Sequence, residues 1–297
     1  MSRGQGGGPG RGGLGYLPAL DGLRAVAVAG VIAFHAGLPW AKGGFLGVDA
    51  FFVLSGYLIT SLLLAEREAT GGIGLGSFWA RRARRLLPAL FLMLAVVAGY
   101  GALAAPGDTL GQLRSDALFT LGYAANWHQI FSGQGYFAQL AQPSPLLHTW
   151  SLAIEEQFYL LWPLALLAVG RTRRPRRNLA VACATGALAS AVEMALLYRP
   201  ADTARVYFGT DTRAQSLLVG ALLAALAAPR PGRRRLGAGA RLGLAAGALA
   251  ATGYLAWSWS SLSGASPFLY RGGFAAGAVA VAALIAATLV APRGFAA

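Results

Sequence analysis

Long apolar runs set the strongest constraint on what this chain can fold into. Repeated stretches approach the about 20 residues that a helix needs to cross a hydrocarbon core. The predicted spans cover residues 23–38, 45–65, 86–105, 147–169, 179–198, 212–228, 242–260 and 272–291. Lipid offers no hydrogen bonds, so each segment must satisfy its own backbone groups as a helix. The sequence therefore predicts an all-α fold, a polytopic bundle of about eight transmembrane helices.

The charge pattern indicates a membrane partner and not nucleic acid. Charged residues make up only 12% of the chain and apolar residues 56%, although the formal net charge is +14. The arginines concentrate between apolar spans in three arginine clusters, which we number in chain order: 67–85, 171–177 and 230–241. This arrangement is typical of topology signals in a lipid bilayer. A single cysteine, Cys183, excludes a disulfide framework and a Cys-cluster metal site, and no metal site is predicted.

The weakly apolar segment 113–128 decides the topology. If it crossed the membrane, the first and second arginine clusters would lie on opposite sides, against the positive-inside rule. We therefore expect an interfacial or re-entrant helix within one external segment, 106–146. All three arginine clusters and the N-terminus are then cytoplasmic, and the chain is predicted to be a multi-pass protein of the cell (plasma or inner) membrane.

Two regions are predicted along the chain. Residues 1–15 are rich in glycine and contain almost nothing to bury, which predicts a disordered tail. Residues 16–297 are predicted to form one transmembrane domain.

Ionisable residues within the spans are candidate functional groups, because burying them in lipid is expensive. Arg24 and His35 lie eleven positions apart on the first helix, so they share a face and are separated by about 16 Å along its axis. Histidine exchanges protons near neutral pH, which makes His35 a candidate general base. A snorkelling anchor for Arg24 and an interhelical hydrogen bond for His35 are the alternatives.

The start of the second span and the approach to the third carry further candidates. Asp49 could cap its own helix or orient His35 across a short connection. Arg82 and Arg85 lie one helical turn apart, so their guanidiniums could together bind a phosphate or pyrophosphate. A positive-inside cluster is the alternative for this pair.

The span at 147–169 carries a polar face. Glu155 and Glu156 point about 100° apart, so only one of them should face a common cavity. Trp150, Ser151 and Tyr159 are candidates for an acceptor side near Glu155. His148 lies beside the external segment, where solvent can satisfy its ring, and is not expected to be essential.

Several blocks, in the same order, resemble the acyltransferase 3 family of integral-membrane O-acyltransferases. They are YLPALDGLRAVAVAGVIAFH, GGFLGVDAFFVLSGYLI, FWARRARRLLPAL, SPLLHTWSLAIEEQFYLLWP and TDTRAQSLLVGALLA. The resemblance covers about 16–291. It implies that Arg24 and His35 form the family hallmark on the first helix, that Arg82 and Arg85 are the family arginine pair, and that Glu155 is the family glutamate. Because members commonly have ten core helices, the chain is expected to be incomplete at its C-terminus.

The resemblance also implies an activity. Acyl-CoA, commonly acetyl-CoA, would be the cytoplasmic donor substrate, with no bound cofactor, and the acceptor would be a hydroxyl of a carbohydrate or glycolipid on the far side. Arg24, Arg82 and Arg85 would hold the CoA moiety, and Asp49 or Glu155 would orient a catalytic His35. A transporter or flippase of a lipid-linked sugar is the alternative, and it predicts inverted repeats with broken helices in both halves.

Overall fold

The structure, a computed structural model, describes residues 17–132, 144–227 and 237–290. The predicted tail at 1–15 and most of the third arginine cluster lie outside these residues. The described helices are α1 Pro18–His35, α2 Gly47–Thr70, α3 Leu75–Leu103, α4 Leu110–Leu121, α5 Ala125–Phe131, α6 Thr149–Gly170, α7 Pro175–Leu197, α8 Ala204–Phe208, α9 Thr210–Ala227, α10 Ala238–Ser261 and α11 Phe274–Val290. Apart from an isolated bridge between Arg199 and Asp202, the described part of the chain holds no β structure. The all-α prediction is confirmed.

Each predicted span contains a long helix. In the described ranges, six helical stretches are long and apolar enough to cross a membrane: Pro18–His35, Gly44–Thr70, Leu75–Leu103, Thr149–Gly170, Pro175–Leu197 and Leu269–Val290. The remaining two predicted spans correspond to α9 and α10. The α9 helix carries Asp211, Arg213 and Gln215 in its first two turns, which lowers its apolar character. The chain is a multi-pass membrane protein.

The segment 113–128 forms two short helices. These are α4, with 12 residues, and α5, with 7 residues. A crossing needs about 20 residues, so neither helix can span a bilayer. The segment is therefore no additional span, in agreement with the sequence prediction.

Contacts between helix ends bring the first two arginine clusters together. Arg67, near the end of α2, donates to the carbonyl oxygen of Gly170 at the end of α6. Arg176, in the first turn of α7, pairs with Glu68 of α2. Both clusters therefore lie at the same end of the bundle, which we call the arginine end. The opposite end, where α1 ends and α6 begins, we call the histidine end.

Two glycines allow α2 and α9 to cross in backbone contact. A Cβ atom on Gly56 would collide with the carbonyl oxygen of Leu217, and one on Gly220 would collide with that of Val53. Small residues at a crossing let helices approach closely, and close packing drives helix association where lipid provides no hydrophobic force. In the most apolar stretch of α2, 61% of the residues are buried, against only 6% in α3. The α2–α9 pair is thus the packed centre of the bundle, and α3 lies at its periphery.

Candidate functional site

A hydrogen-bonded cluster of Ser55, Glu155 and Tyr159 joins α2 to α6, and we call it the carboxylate cluster. Ser55 Oγ donates to Glu155 Oε1 at 2.9 Å. Tyr159 Oη lies 2.9 Å from Ser55 Oγ and 3.2 Å from Glu155 Oε2. Glu155 and Tyr159 are four residues apart on α6, so both face α2. The two hydroxyls give this intramembrane carboxylate the donors that lipid cannot supply.

Arg82 packs against the carboxylate cluster from α3. Its guanidinium carbon lies 4.8 Å from the ring centre of Tyr159 and 5.8 Å from that of Phe78, both cation–π distances. The Trp79 indole N–H donates to the Tyr159 carbonyl oxygen at 3.1 Å. The apolar pattern predicts that the third span begins at residue 86, after the arginine pair. In the structure α3 begins at Leu75, so Arg82 and Arg85 lie inside this helix.

The three arginines predicted to bind the donor line one cavity of about 620 Å³, which we call the arginine cavity. Arg24 comes from α1, and Arg82 and Arg85 come from the first part of α3. Glu155 and Tyr159 line the same cavity from α6. Residues from three separate helices are therefore brought together with several guanidiniums around one space. Such an arrangement can bind an anion through charge-assisted hydrogen bonds.

A second cavity, of about 340 Å³, lies toward the histidine end, and we call it the histidine cavity. Its polar lining residues are His148, Ser151 and Glu155, and Trp150 lies beside them. Trp150 and Ser151 thus share a space with Glu155, as predicted for an acceptor side. Tyr159 differs from that prediction, because it lines the arginine cavity instead.

The predicted first span, 23–38, extends three residues beyond His35. In the structure His35 is the last residue of α1 and is exposed. Its Nδ1 is 2.7 Å from the Val31 carbonyl oxygen. A carbonyl can only accept, so Nδ1 carries the hydrogen and the neutral ring keeps its lone pair on Nε2. The His35 and His148 rings meet edge to face with their centroids 4.8 Å apart.

His148 is a functional candidate that the sequence analysis missed. It directly precedes α6, lines the histidine cavity and contacts the His35 ring, although the residue as a whole is exposed. Burial lowers the pKa of His148 below its usual range, and the neighbouring His35 lowers it further. One signal could have found it: α1 ends and α6 begins at the same end of the bundle, which puts both histidines at one level.

Asp49 has a different partner from the His35 expected on sequence grounds. Arg213 Nη2 donates to Asp49 Oδ2 at 2.9 Å, and Ser216 Oγ donates to Oδ1 at 3.0 Å. The Arg213 side chain is 1% exposed, and its guanidinium carbon lies 4.2 Å from the ring centre of Phe274. A buried guanidinium requires a counter-ion, and Asp49 meets that need across the α2–α9 crossing. The structure therefore corrects the predicted Asp49–His35 contact.

The adjacent glutamates diverge as their spacing predicts. Glu155 lines both cavities. Glu156 lies elsewhere, and among the described residues its buried Oε1 has no hydrogen-bond partner. Glu155 is therefore the glutamate that takes part in the candidate site.

Together the fold and the site define a multi-pass membrane protein whose polar core runs between two cavities of one helical bundle. The chain belongs to the acyltransferase 3 family. The family's sequence profile, described as "Acyltransferase domain", matches residues 17–296.

Named relatives are O-acetyltransferases. The chain is 45% identical over 268 residues to the peptidoglycan O-acetyltransferase OatA of Listeria monocytogenes. This alignment covers 87% of this chain and 42% of that protein. It is 46% identical over 209 residues to the O-acetyltransferase OatA of Staphylococcus aureus, covering 70% of this chain and 34% of that protein. The chain thus spans less than half the length of these relatives. No solved structure matches it.

Proposed function

We propose that this protein is a membrane-bound O-acyltransferase that transfers an acetyl group from acyl-CoA to a hydroxyl of a carbohydrate or glycolipid. The names of the relatives support acetyl as the acyl group, and one of them supports a cell-envelope glycan as the acceptor. The positive-inside rule supports a cytoplasmic arginine end and N-terminus, with the protein in the cell membrane. The segment 106–146 then faces the opposite side.

One observation carries the proposal: Glu155 lines both cavities, with the arginines on one side of it and His148 on the other. A donor held by its anionic part at the arginine end can extend a reactive group toward the carboxylate cluster. An acceptor can reach the same level from the histidine end. The two substrates can therefore meet within the bundle although they come from opposite sides.

The arginine cavity suits the donor that we propose. CoA carries its phosphates at one end and its thioester at the end of a long flexible arm. Arg24, Arg82 and Arg85 offer planar, permanently charged donors that match phosphate oxygens. With the phosphates held there, the pantetheine arm extends along the cavity toward Glu155.

The chemical step needs a hydroxyl that loses its proton as its oxygen attacks the thioester carbonyl. We assign the base to His35, because the hydrogen bond from Nδ1 to Val31 leaves its lone pair on Nε2. The new C–O bond forms, the C–S bond breaks, and the hydroxyl proton passes through the imidazole to the departing thiolate. His148 packs against His35 and limits how that ring can turn.

Of the two carboxylates that could support the histidine, Glu155 is favoured. It lines the histidine cavity, whereas both oxygens of Asp49 are engaged by Arg213 and Ser216. Glu155 shares that cavity with His148, whose ring contacts that of His35, so its negative charge would favour an imidazolium formed there during proton transfer. Asp49 then stabilises the α2–α9 crossing and takes no part in the chemical step.

The test measures CoA release from acetyl-CoA by membranes that contain the full chain, together with the acetyl content of envelope glycans by mass spectrometry. Glu155→Gln should lower CoA release by at least about 100-fold at normal protein accumulation. Glu193→Gln makes the same change on α7, away from the residues of both cavities, and should leave it unchanged. Glycan acetylation without CoA release would contradict the donor, and the absence of both would contradict the transferase.

A further inference from the structure

We propose that Phe51 sets the longest acyl group that this protein transfers. The proposal rests on the proposed function and adds a specificity-determining residue to it. Phe51 lies on α2, one turn before Ser55, and its side chain is partly buried. On that helix face it extends toward the carboxylate cluster.

Phe51 lies on the boundary between the two cavities. Among the described residues, only Phe51 and Glu155 line both the arginine cavity and the histidine cavity. The other lining residues of each cavity face that cavity alone. These two side chains therefore form the partition that an acyl group must pass to move from one cavity to the other.

The partition is thin, because residues one helical turn apart on the surrounding helices line different cavities. On α1, Arg24 lines the arginine cavity and Val28 lines the histidine cavity. On α6, Ser151 lines the histidine cavity, Glu155 lines both, and Tyr159 lines the arginine cavity. Residues four apart in a helix are separated by about 6 Å along its axis. The partition is thus about one side chain thick, and a single substitution can change its width.

The two boundary side chains are held in different ways. Glu155 accepts hydrogen bonds from Ser55 and Tyr159, so its carboxylate is fixed. Phe51 is apolar and is held by packing alone. Its bulk is therefore what limits the space beside the fixed carboxylate. A smaller side chain at this position joins the cavities, and a larger one separates them further.

The lining beyond Phe51 suits a short hydrocarbon group. Valine and leucine side chains from α1, α2 and α6 face the histidine cavity: Val28, Val31, Val48 and Leu152. Apolar groups gain free energy when buried on such a surface, and an acyl group held in the arginine cavity reaches it past Phe51 and Glu155. One methylene more or less in an apolar pocket changes relative kcat/KM by about 10–200-fold. The ring of Phe51 therefore favours acetyl over longer acyl groups.

The experiment compares acetyl-, propionyl- and butyryl-CoA as donors for membranes containing the full chain, with CoA release as the readout. Phe51→Ala should raise the butyryl-to-acetyl ratio of kcat/KM by at least about tenfold. Phe51→Trp should lower the propionyl-to-acetyl ratio. Phe91→Ala is the matched control, because Phe91 lies on α3, is 54% exposed and lines neither cavity. It should keep the wild-type ratios.

The outcomes separate this proposal from the function on which it rests. An active Phe51→Ala protein with the wild-type ratio would overturn the proposal and leave the function intact. If Phe51→Ala is inactive, Phe51→Leu decides: a raised ratio supports the proposal. An unchanged ratio, or no turnover at normal accumulation, overturns it. Wild-type membranes that release no CoA from any of the three donors overturn the proposed function itself.

Discussion

The rings of His35 and His148 meet edge to face, 4.8 Å between centroids, where α1 ends and α6 begins. At this distance a charge on one imidazole disfavours a charge on the other, and His35 lowers the pKa of His148 in this way. Burial makes His148 the partner that resists protonation. His148 is therefore held in its neutral form to a lower pH than a fully solvated histidine.

Replacing His35 tests the role of the base. His35→Ala and His35→Gln should each lower acyl transfer by about 10²–10⁴-fold while the protein accumulates normally. Glutamine keeps a hydrogen-bond donor but cannot take up the proton, so it separates the two roles. CoA release from membranes is the measurement. Near-wild-type turnover by His35→Gln would make the histidine structural and move the base to Glu155.

Acid should destabilise the protein through His148. Burial lowers the pKa of His148 in the folded protein, so the unfolded chain binds this proton more tightly. Stability should therefore fall as the pH drops below the ordinary histidine value of about 6.5. We expect the thermal midpoint in detergent to decrease on acidification, and to decrease less for His148→Gln. An identical decrease in that variant would show that His148 is not responsible.

The arginine pair on α3 should control donor affinity. Arg82→Ala and Arg85→Ala each remove a charge-assisted contact, which we expect to raise the apparent KM for acyl-CoA by about 10–150-fold. The KM for the acceptor should change much less. Arg174→Ala is the control, because Arg174 is an exposed residue just before α7 that lines neither cavity. Equal effects at all three positions would identify the pair as a topology signal only.

The ion pair between Asp49 and Arg213 should matter for stability and not for chemistry. Asp49→Asn leaves a buried guanidinium without its counter-ion, which costs about 3–5 kcal/mol of unfolding free energy. The double variant Asp49→Leu, Arg213→Met replaces the pair with apolar groups and should regain most of that stability. Thermal unfolding in detergent and CoA release are the two measurements. A double variant that is stable but inactive would show that Asp49 is needed for the reaction itself.

Cysteine labelling tests the topology. Ser132 is exposed after α5, and Arg174 is exposed before α7, whereas Cys183 is fully buried. In a Cys183→Ala background, Ser132→Cys and Arg174→Cys should react with an impermeant thiol reagent from opposite sides of the membrane. Labelling from the same side would contradict the topology in which 113–128 does not cross.

The helices could be predicted from the sequence because a long apolar segment in lipid has few ways to satisfy its backbone. The grouping of Arg24, Arg82 and Arg85 could also be anticipated. All three lie near the predicted cytoplasmic ends of their spans, which places them at one level of the bundle. The prediction went wrong for the start of α3, because arginine is a good helix former and extends the helix beyond its apolar part.

Partner choice inside the bundle could not be predicted. Asp49 and Arg213 are 164 residues apart in the chain. Their pairing depends on the crossing of α2 with α9, where Gly56 and Gly220 allow the backbones to touch. Local periodicity assigns a residue to a helix face, but it does not say which of several helices covers that face. The same limitation concealed the packing of His148 against His35.

The length of α3 links the arginine cavity to bilayer thickness. With 29 residues, α3 is about 43 Å long, against a hydrocarbon core of about 30 Å. A helix longer than the core adapts by tilting, and the most apolar stretch of α3 is only 6% buried, whereas Trp79 and Arg82 hold its first part against Tyr159 of α6. The α2 helix is locked to α9 and keeps its direction. We therefore expect a thicker or thinner membrane to tilt α3 about its contacts with Tyr159, which would change the width of the arginine cavity.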